Sequence, residues 1–358
     1  MMPLRLPFVM MFVIAASAWM LACQQANNTN AQTTTMTTGT TSGQSVWLGL
    51  VGDTADVQGT TQSATVLMGG STDVDEAMRW MLSRAGGGDV VIIRASGGNG
   101  YNDYLFTLGA KVNSVETFLI NSRELANNPA IERRVRNAEM LFIAGGDQAN
   151  YVNYWRNTRL HEALNYLANV KKIPIGGTSA GCAVLRRLYF SALQGTVRSE
   201  EALANPFDAR VTLGRNDFLM MPYLANTITD THYDNPERLG RHLAFMARIV
   251  KDTALGAPVQ GIGVEERTAV AINAEGKATV FGSGRAFFLW QNGAQTMPEV
   301  IQAGMPLTWN KNGQAVRSYI IPGSSQGNGT FDLTNWSLPQ TGGIIGFVSA
   351  VNGALKGQ

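Results

Sequence analysis

The chain has 358 residues, 45% of them hydrophobic and 15% charged, with 28 Lys and Arg against 26 Asp and Glu. A formal net charge of +2 without any basic run gives no electrostatic case for nucleic acid. The three histidines, His161, His232 and His242, fit no metal-ligand spacing, and the two cysteines, Cys23 and Cys182, are too far apart for a zinc finger. No metal or other cofactor is implied.

At the N-terminus, Arg5 precedes an almost wholly apolar stretch from Leu6 to Ala22 that ends at Cys23. The stretch is shorter than the roughly 20 residues a membrane-spanning helix needs and reads as an export signal over 1–22. Met20-Leu21-Ala22-Cys23 resembles a bacterial lipobox, so Cys23 is expected to carry lipid and to be the only membrane contact. The following residue is Gln24 rather than the Asp of inner-membrane retention, which points to the outer membrane, facing the periplasm or the cell surface. Residues 23–45 are almost entirely Gln, Asn, Thr, Ala, Ser and Gly and read as a flexible polar tether.

From Val46 onward short apolar runs alternate with helical patterns. Val66–Met68 ends at Gly69-Gly70, and Thr72 with Asp75 predicts a capping box ahead of Val74, Met78, Met81 and Leu82. Asp89–Arg94, Val115–Ile120, Glu139–Ala144 and Ile173–Gly176 are strand candidates, with helices predicted over Pro129–Asn137 and Tyr151–Val170. Continuous apolar strands between helices imply an α/β fold, a mostly parallel sheet sandwiched by helices. From about Gly263 the pattern becomes β-rich, with a hairpin of Thr268–Asn273 and Ala278–Phe281. The expected division is a domain over 46–290 and a β-rich C-terminal extension over 291–358.

In open parallel sheets chemistry gathers at the carboxyl ends of strands. Gly177-Thr178-Ser179-Ala180-Gly181 is a Gly-x-Ser-x-Gly elbow after a strand, with Ala183–Phe190 predicted as the helix that follows. Gly323-Ser324-Ser325-Gln326-Gly327 has the same pattern, but among turn residues, so Ser179 is the nucleophile candidate. A serine needs a base, and the base needs an orienting acid. His161 and His242 sit within helical runs and read as structural. His232, in the polar stretch Thr229–Asp234, is the base candidate. Either Glu266 or Glu201 could be the acid. The amides of Gly146 and Ala180, both at strand ends, could form an oxyanion hole.

Four blocks in this order, Gly145-Gly146-Asp147-Gln148, Gly177–Gly181, Asp230–Tyr233 with Arg238–Arg241, and Gly261–Thr268, resemble the cyanophycinase and aspartyl dipeptidase family of serine peptidases. The resemblance spans roughly residues 65–282. It implies a fold like class I glutamine amidotransferases and a triad of Ser179, His232 and Glu266, and so favours Glu266 over Glu201. It also implies that Gln148, Asp230, Arg238 and Arg241 line the substrate pocket. The chain departs from cyanophycinases at Thr231, where they have Gln, and at Pro236, where they have Arg. A missing guanidinium removes a bidentate carboxylate clamp.

The expected function is a serine-type peptidase for peptide substrates, acidic or β-aspartyl, with a homodimer left open. Read without the resemblance, Arg238 and Arg241 are helix-surface arginines that pair with Glu237 or nearby acids. An α/β-hydrolase esterase would want its His close to the C-terminus. A glutaminase would want Cys at the elbow, and Cys182 lies three residues past Ser179. The remaining alternative is a non-catalytic peptide-binding lipoprotein.

Overall fold

The computed structural model describes residues 46–109, 111–253, 257–293, 296–337 and 340–357. The expected export signal, the lipidation site Cys23 and the tether fall outside the described residues. The described chain starts with β1 (Trp47–Gly52), β2 (Ala64–Met68), α1 (Asp75–Leu82), β3 (Asp89–Arg94), α2 (Tyr101–Thr107), β4 (Ser114–Leu119), α3 (Arg123–Ala126), α4 (Pro129–Asn137) and β5 (Met140–Ile143). It continues through α5 (Gln148–Trp155), α6 (Arg159–Tyr166), a π-helical turn, β6 (Pro174–Thr178), α7 (Ala180–Ala183), β7 (Leu188–Phe190), α8 (Ser199–Ala204), β8 (Leu213–Arg215), β9 (Thr227–Asp230) and α9 (Leu239–Asp252). The remainder is strand: β10 (Gln260–Val264), β11 (Thr268–Ile272), β12 (Lys277–Gly282), β13 (Arg285–Gln291), β14 (Val316–Pro322), β15 (Asn328–Asp332), β16 (Ile344–Val351) and β17 (Ala354–Lys356).

Alternate side chains of a strand go to opposite faces, so an all-apolar strand must be covered on both. Val66 and Met68 of β2 pack with Met78 and Met81 of α1, while Leu67 joins the opposite cluster with Leu160 and Leu164 of α6. Val90 and Ile92 divide from Val91 and Ile93 in the same way. The result is a nine-stranded mixed sheet in the order β1-β4-β3-β5-β6-β2-β11-β12-β15. Its five strands from β4 to β2 are parallel, and helices cover both faces. A second sheet, β17-β16-β14-β13-β10-β9, encloses another core against α8 and α9. Among the described residues no helix is long and apolar enough to cross a membrane.

Several local expectations need correction. The residue that caps α1 is Val74, with no side-chain cap bond, because the carboxylates of Asp73 and Asp75 accept from the hydroxyls of Tyr101 and Tyr104. The helix expected over Tyr151–Val170 is two helices. Asp147 caps the first, the chain turns at Asn157 with φ 58°, and Thr158 caps the second. The helix expected over Ala183–Phe190 is the four-residue α7 alone, and Leu188–Phe190 pairs with β8 as a strand. An apolar run this short does not distinguish helix from strand by periodicity. Residues past 290 are β-rich, as expected, and contribute strands to both sheets. β14, β16 and β17 continue the second sheet, β15 closes the edge of the first, and the described residues fall in one compact unit.

Candidate active site

Strand ends from the two sheets meet at one place. β6 delivers Ser179 through a turn whose backbone sits at φ 52°, ψ −119°, a conformation L-residues rarely adopt. The flanking glycines are required by close approach, since a Cβ on Gly177 would lie 2.6 Å from the Gly181 carbonyl carbon, and one on Gly181 2.1 Å from the Ile143 oxygen. The Tyr151 hydroxyl donates to the carbonyl oxygens of Ala144 and Gly145, which fixes the turn that carries Gly146 beside the serine.

The second sheet supplies the partners. β9 and β10 run parallel, so their carboxyl ends bring His232 and Glu266 side by side. The Glu266 carboxylate accepts from His232 Nδ1 at 2.7 Å, which leaves Nε2 bare to accept from the Ser179 hydroxyl at 2.8 Å. Asp234 Oδ1 accepts from the Glu266 amide at 2.9 Å and so fixes the acid's backbone. The seam between the sheets is Gly69-Gly70. The His232 amide donates to the Gly69 oxygen at 2.7 Å, and a Cβ on Gly70, at φ 104°, would lie 2.4 Å from His232 Nε2. This unbroken chain of hydrogen bonds can take a proton from the serine and hold it on the imidazole.

A cavity of about 340 Å³ opens over Ser179. Gly146, Gln148, Ala180, His232, Arg238 and Arg241 all line it. Gln148 is placed there as the first residue of α5 after the Asp147 cap. Asp230 lies behind the wall, buried, and grips Arg241 through two bonds, Nε to Oδ2 at 2.6 Å and Nη2 to Oδ1 at 2.5 Å. Burial opposes ionisation of Asp230, but the Arg241 guanidinium outweighs it and holds the carboxyl below its ordinary range. Arg241 Nη1 donates to Thr196 Oγ1 and the Val197 carbonyl, tying the pair to the loop that forms the far wall.

The two arginines are therefore not surface residues paired with Glu237. Arg241 is committed to Asp230. Arg238 is half-buried, donates through Nη1 to the Thr231 carbonyl at 2.9 Å, and among the described residues its Nε has no hydrogen-bond partner. Burial lowers its basicity from the ordinary arginine value. Glu201, the alternative acid, stands on α8, where its carboxylate accepts from the Arg198 amide and pairs with Arg210. His161 donates to the Phe218 carbonyl, and fully buried His242 bridges Tyr233 and Ile228, structural places as read from the sequence.

Sequence reasoning missed three contributors. Gly69-Gly70 was visible as the end of an apolar strand, the same signal as the elbow. The wall residues Ala192, Gly195 and Thr196 carry no motif. Buried Arg186, just after α7, lies outside every motif block.

Residues 99–280 match the model of peptidase family S51, about half of the chain. A cyanophycinase from Nostoc sp. is 24% identical over 235 residues, 63% of this chain and 72% of that protein. A cyanophycinase from Synechococcus elongatus is 27% identical over 209 residues, 56% of this chain and 59% of that protein. Among solved structures, a peptidase from an acI-B1 Actinobacterium covers 64% of this chain and 91% of its own at 18% identity, with a TM-score of 0.45. The chain belongs to peptidase family S51, and is thus a hydrolase of peptide bonds.

Proposed function

We propose that this peptidase works through Ser179 as nucleophile, His232 as general base and Glu266 as the orienting acid, on acidic or β-aspartyl peptides. The observation that carries the reading is the continuous chain Ser179–His232–Glu266 at a strained strand-to-helix turn. His232 accepts the hydroxyl proton while the serine oxygen attacks the peptide carbonyl. The negative charge on the tetrahedral intermediate falls to the Gly146 and Ala180 amides, both at the cavity wall. Protonated His232, stabilised by Glu266, gives its proton to the leaving amine. Water then attacks the acyl-enzyme, with His232 again taking the proton.

Substrate preference is read from Arg238, the guanidinium at the wall with donors to spare, and from Gln148 beside it. Both suit a carboxylate or its amide-bonded neighbour. The missing arginine at Pro236 makes cyanophycin itself a poor candidate. A lipid anchor at Cys23 would place this chemistry on exported peptides at the outer membrane, with a homodimer left open.

The test sets the full chain beside its Ser179→Ala variant on a pool of α- and β-aspartyl peptides, with products read by mass spectrometry. Cleavage by the parent alone is expected, with cuts next to acidic residues. Turnover retained by Ser179→Ala overturns the nucleophile, and cuts indifferent to charge overturn the substrate class.

A further inference from the structure

Behind the cavity wall lies a charge the catalytic cycle does not use. Arg186 follows α7, and its side chain is 0% exposed. Nη1 donates to Thr229 Oγ1 at 2.5 Å, and among the described residues neither Nε nor Nη2 has a hydrogen-bond partner. Its polar neighbour is the Cys182 thiol, which burial pushes up to about 11 and so keeps neutral near pH 7. Burial also pushes Arg186 down, to about 10, which leaves it charged.

Thr229 precedes Asp230 in β9, and that carboxylate is already taken. Arg241 holds it through two bonds, and Arg238 Nη1 stands 3.9 Å from it. Two guanidinium groups that line the cavity thus share one buried carboxylate, and among the described residues Arg186 pairs with none. His242 beside them adds no charge, because burial pushes it down to about 4. The other carboxylates facing the cavity do not balance the excess: Glu266 is paired with His232, and Asp147 is exposed to solvent, where screening weakens it.

A buried charge with no opposite charge to pair with opposes folding, and an apolar side chain of similar volume is often as stable or more so. Departures of this kind from the local rules of burial are found at functional sites. We infer that Arg186 is a specificity-determining residue, selecting anionic peptides for the Ser179 cavity through its field and without touching them. The inference rests on the acidic-peptide reading above.

The test measures binding to the full chain carrying Ser179→Ala, by calorimetry, with paired peptides that differ only by Asp or Asn. Arg186→Met should lower the Asp-to-Asn affinity ratio roughly tenfold, as expected for one unit charge acting through the protein interior, and leave the Asn peptide's affinity unchanged. An unchanged ratio, or equal loss for both peptides, overturns the inference. Arg186→Lys keeps the charge and should keep the ratio; loss as in Arg186→Met overturns it. Should Arg186→Met not fold, salt decides on the unsubstituted residue. A ratio that persists from roughly 0.05 to 0.5 M salt fits a buried source, and one that vanishes overturns it. Turnover by the parent is scored separately, so failure to cleave any acidic peptide counts against the substrate reading alone.

Discussion

The two sheets contribute to the site in different ways. The parallel sheet gives Ser179 on a strained turn held by backbone packing, Gly177 and Gly181 leaving no room for a side chain. The second sheet gives His232 and Glu266, held by side-chain bonds and by the neighbouring Asp230–Arg241 pair. Ser179 is thus positioned by local backbone geometry, whereas His232 and Glu266 are positioned by side-chain hydrogen bonds and by the seam at Gly69-Gly70. Substitutions that spare the backbone should therefore leave the first contribution intact and break the second.

The largest effect is expected from Glu266→Gln, which keeps the shape of the acid but removes the charge that fixes the imidazole. A loss of roughly a thousandfold in kcat with little change in melting temperature is expected in peptide assays. The paired control, Glu201→Gln, should change kcat less than twofold, since Glu201 is engaged with Arg198 and Arg210 on the surface. Equal losses for the two would mean that the second sheet does not supply the acid.

Asp230→Asn should come next, acting on stability more than on chemistry. It leaves Arg241 buried beside the Arg238 guanidinium, and breaking a buried pair in this way costs roughly 3 kcal/mol or more. Chemical denaturation would read the loss, and an unchanged midpoint would show that the pair does not frame the second sheet.

A smaller, pH-dependent effect belongs to His242. Burial pushes it from 6.5 down to about 4, so the folded protein binds its proton less readily than the unfolded chain. The stability this contributes is full above pH 6.5 and is lost as pH falls towards about 4, amounting to about 3 kcal/mol. His242→Gln can still accept from Tyr233 and donate to the Ile228 carbonyl, and it should flatten the melting temperature over that range. A slope equal to that of the parent would place the acid sensitivity elsewhere.

Much of this arrangement was legible because it rests on local rules. Apolar runs of four to six residues between helical patterns are enough to call the parallel strands. The elbow motif marks Ser179, and among only three histidines the polar stretch around His232 singles out the one that stands against it. Asn128 capping the helix at Pro129 also follows from neighbours in the chain. The break at Asn157 is local, but two other failures depended on groups distant in sequence. Asp75 was expected to complete a capping box with Thr72 but accepts from Tyr104, and Leu188–Phe190 became a strand because Leu213–Arg215 lies beside it.

The sequence by itself determined the strand-and-helix alternation and the turn that carries Ser179, because these depend on periodicity and on glycine's freedom within a few residues. Only the tertiary structure decided that Glu266 and not Glu201 faces His232, that Arg241 is spent on Asp230, that residues past 290 complete both sheets, and that Arg186 lies buried without a carboxylate. Each of these depends on which charges meet after burial, and burial sets both the strength of a charge and its cost.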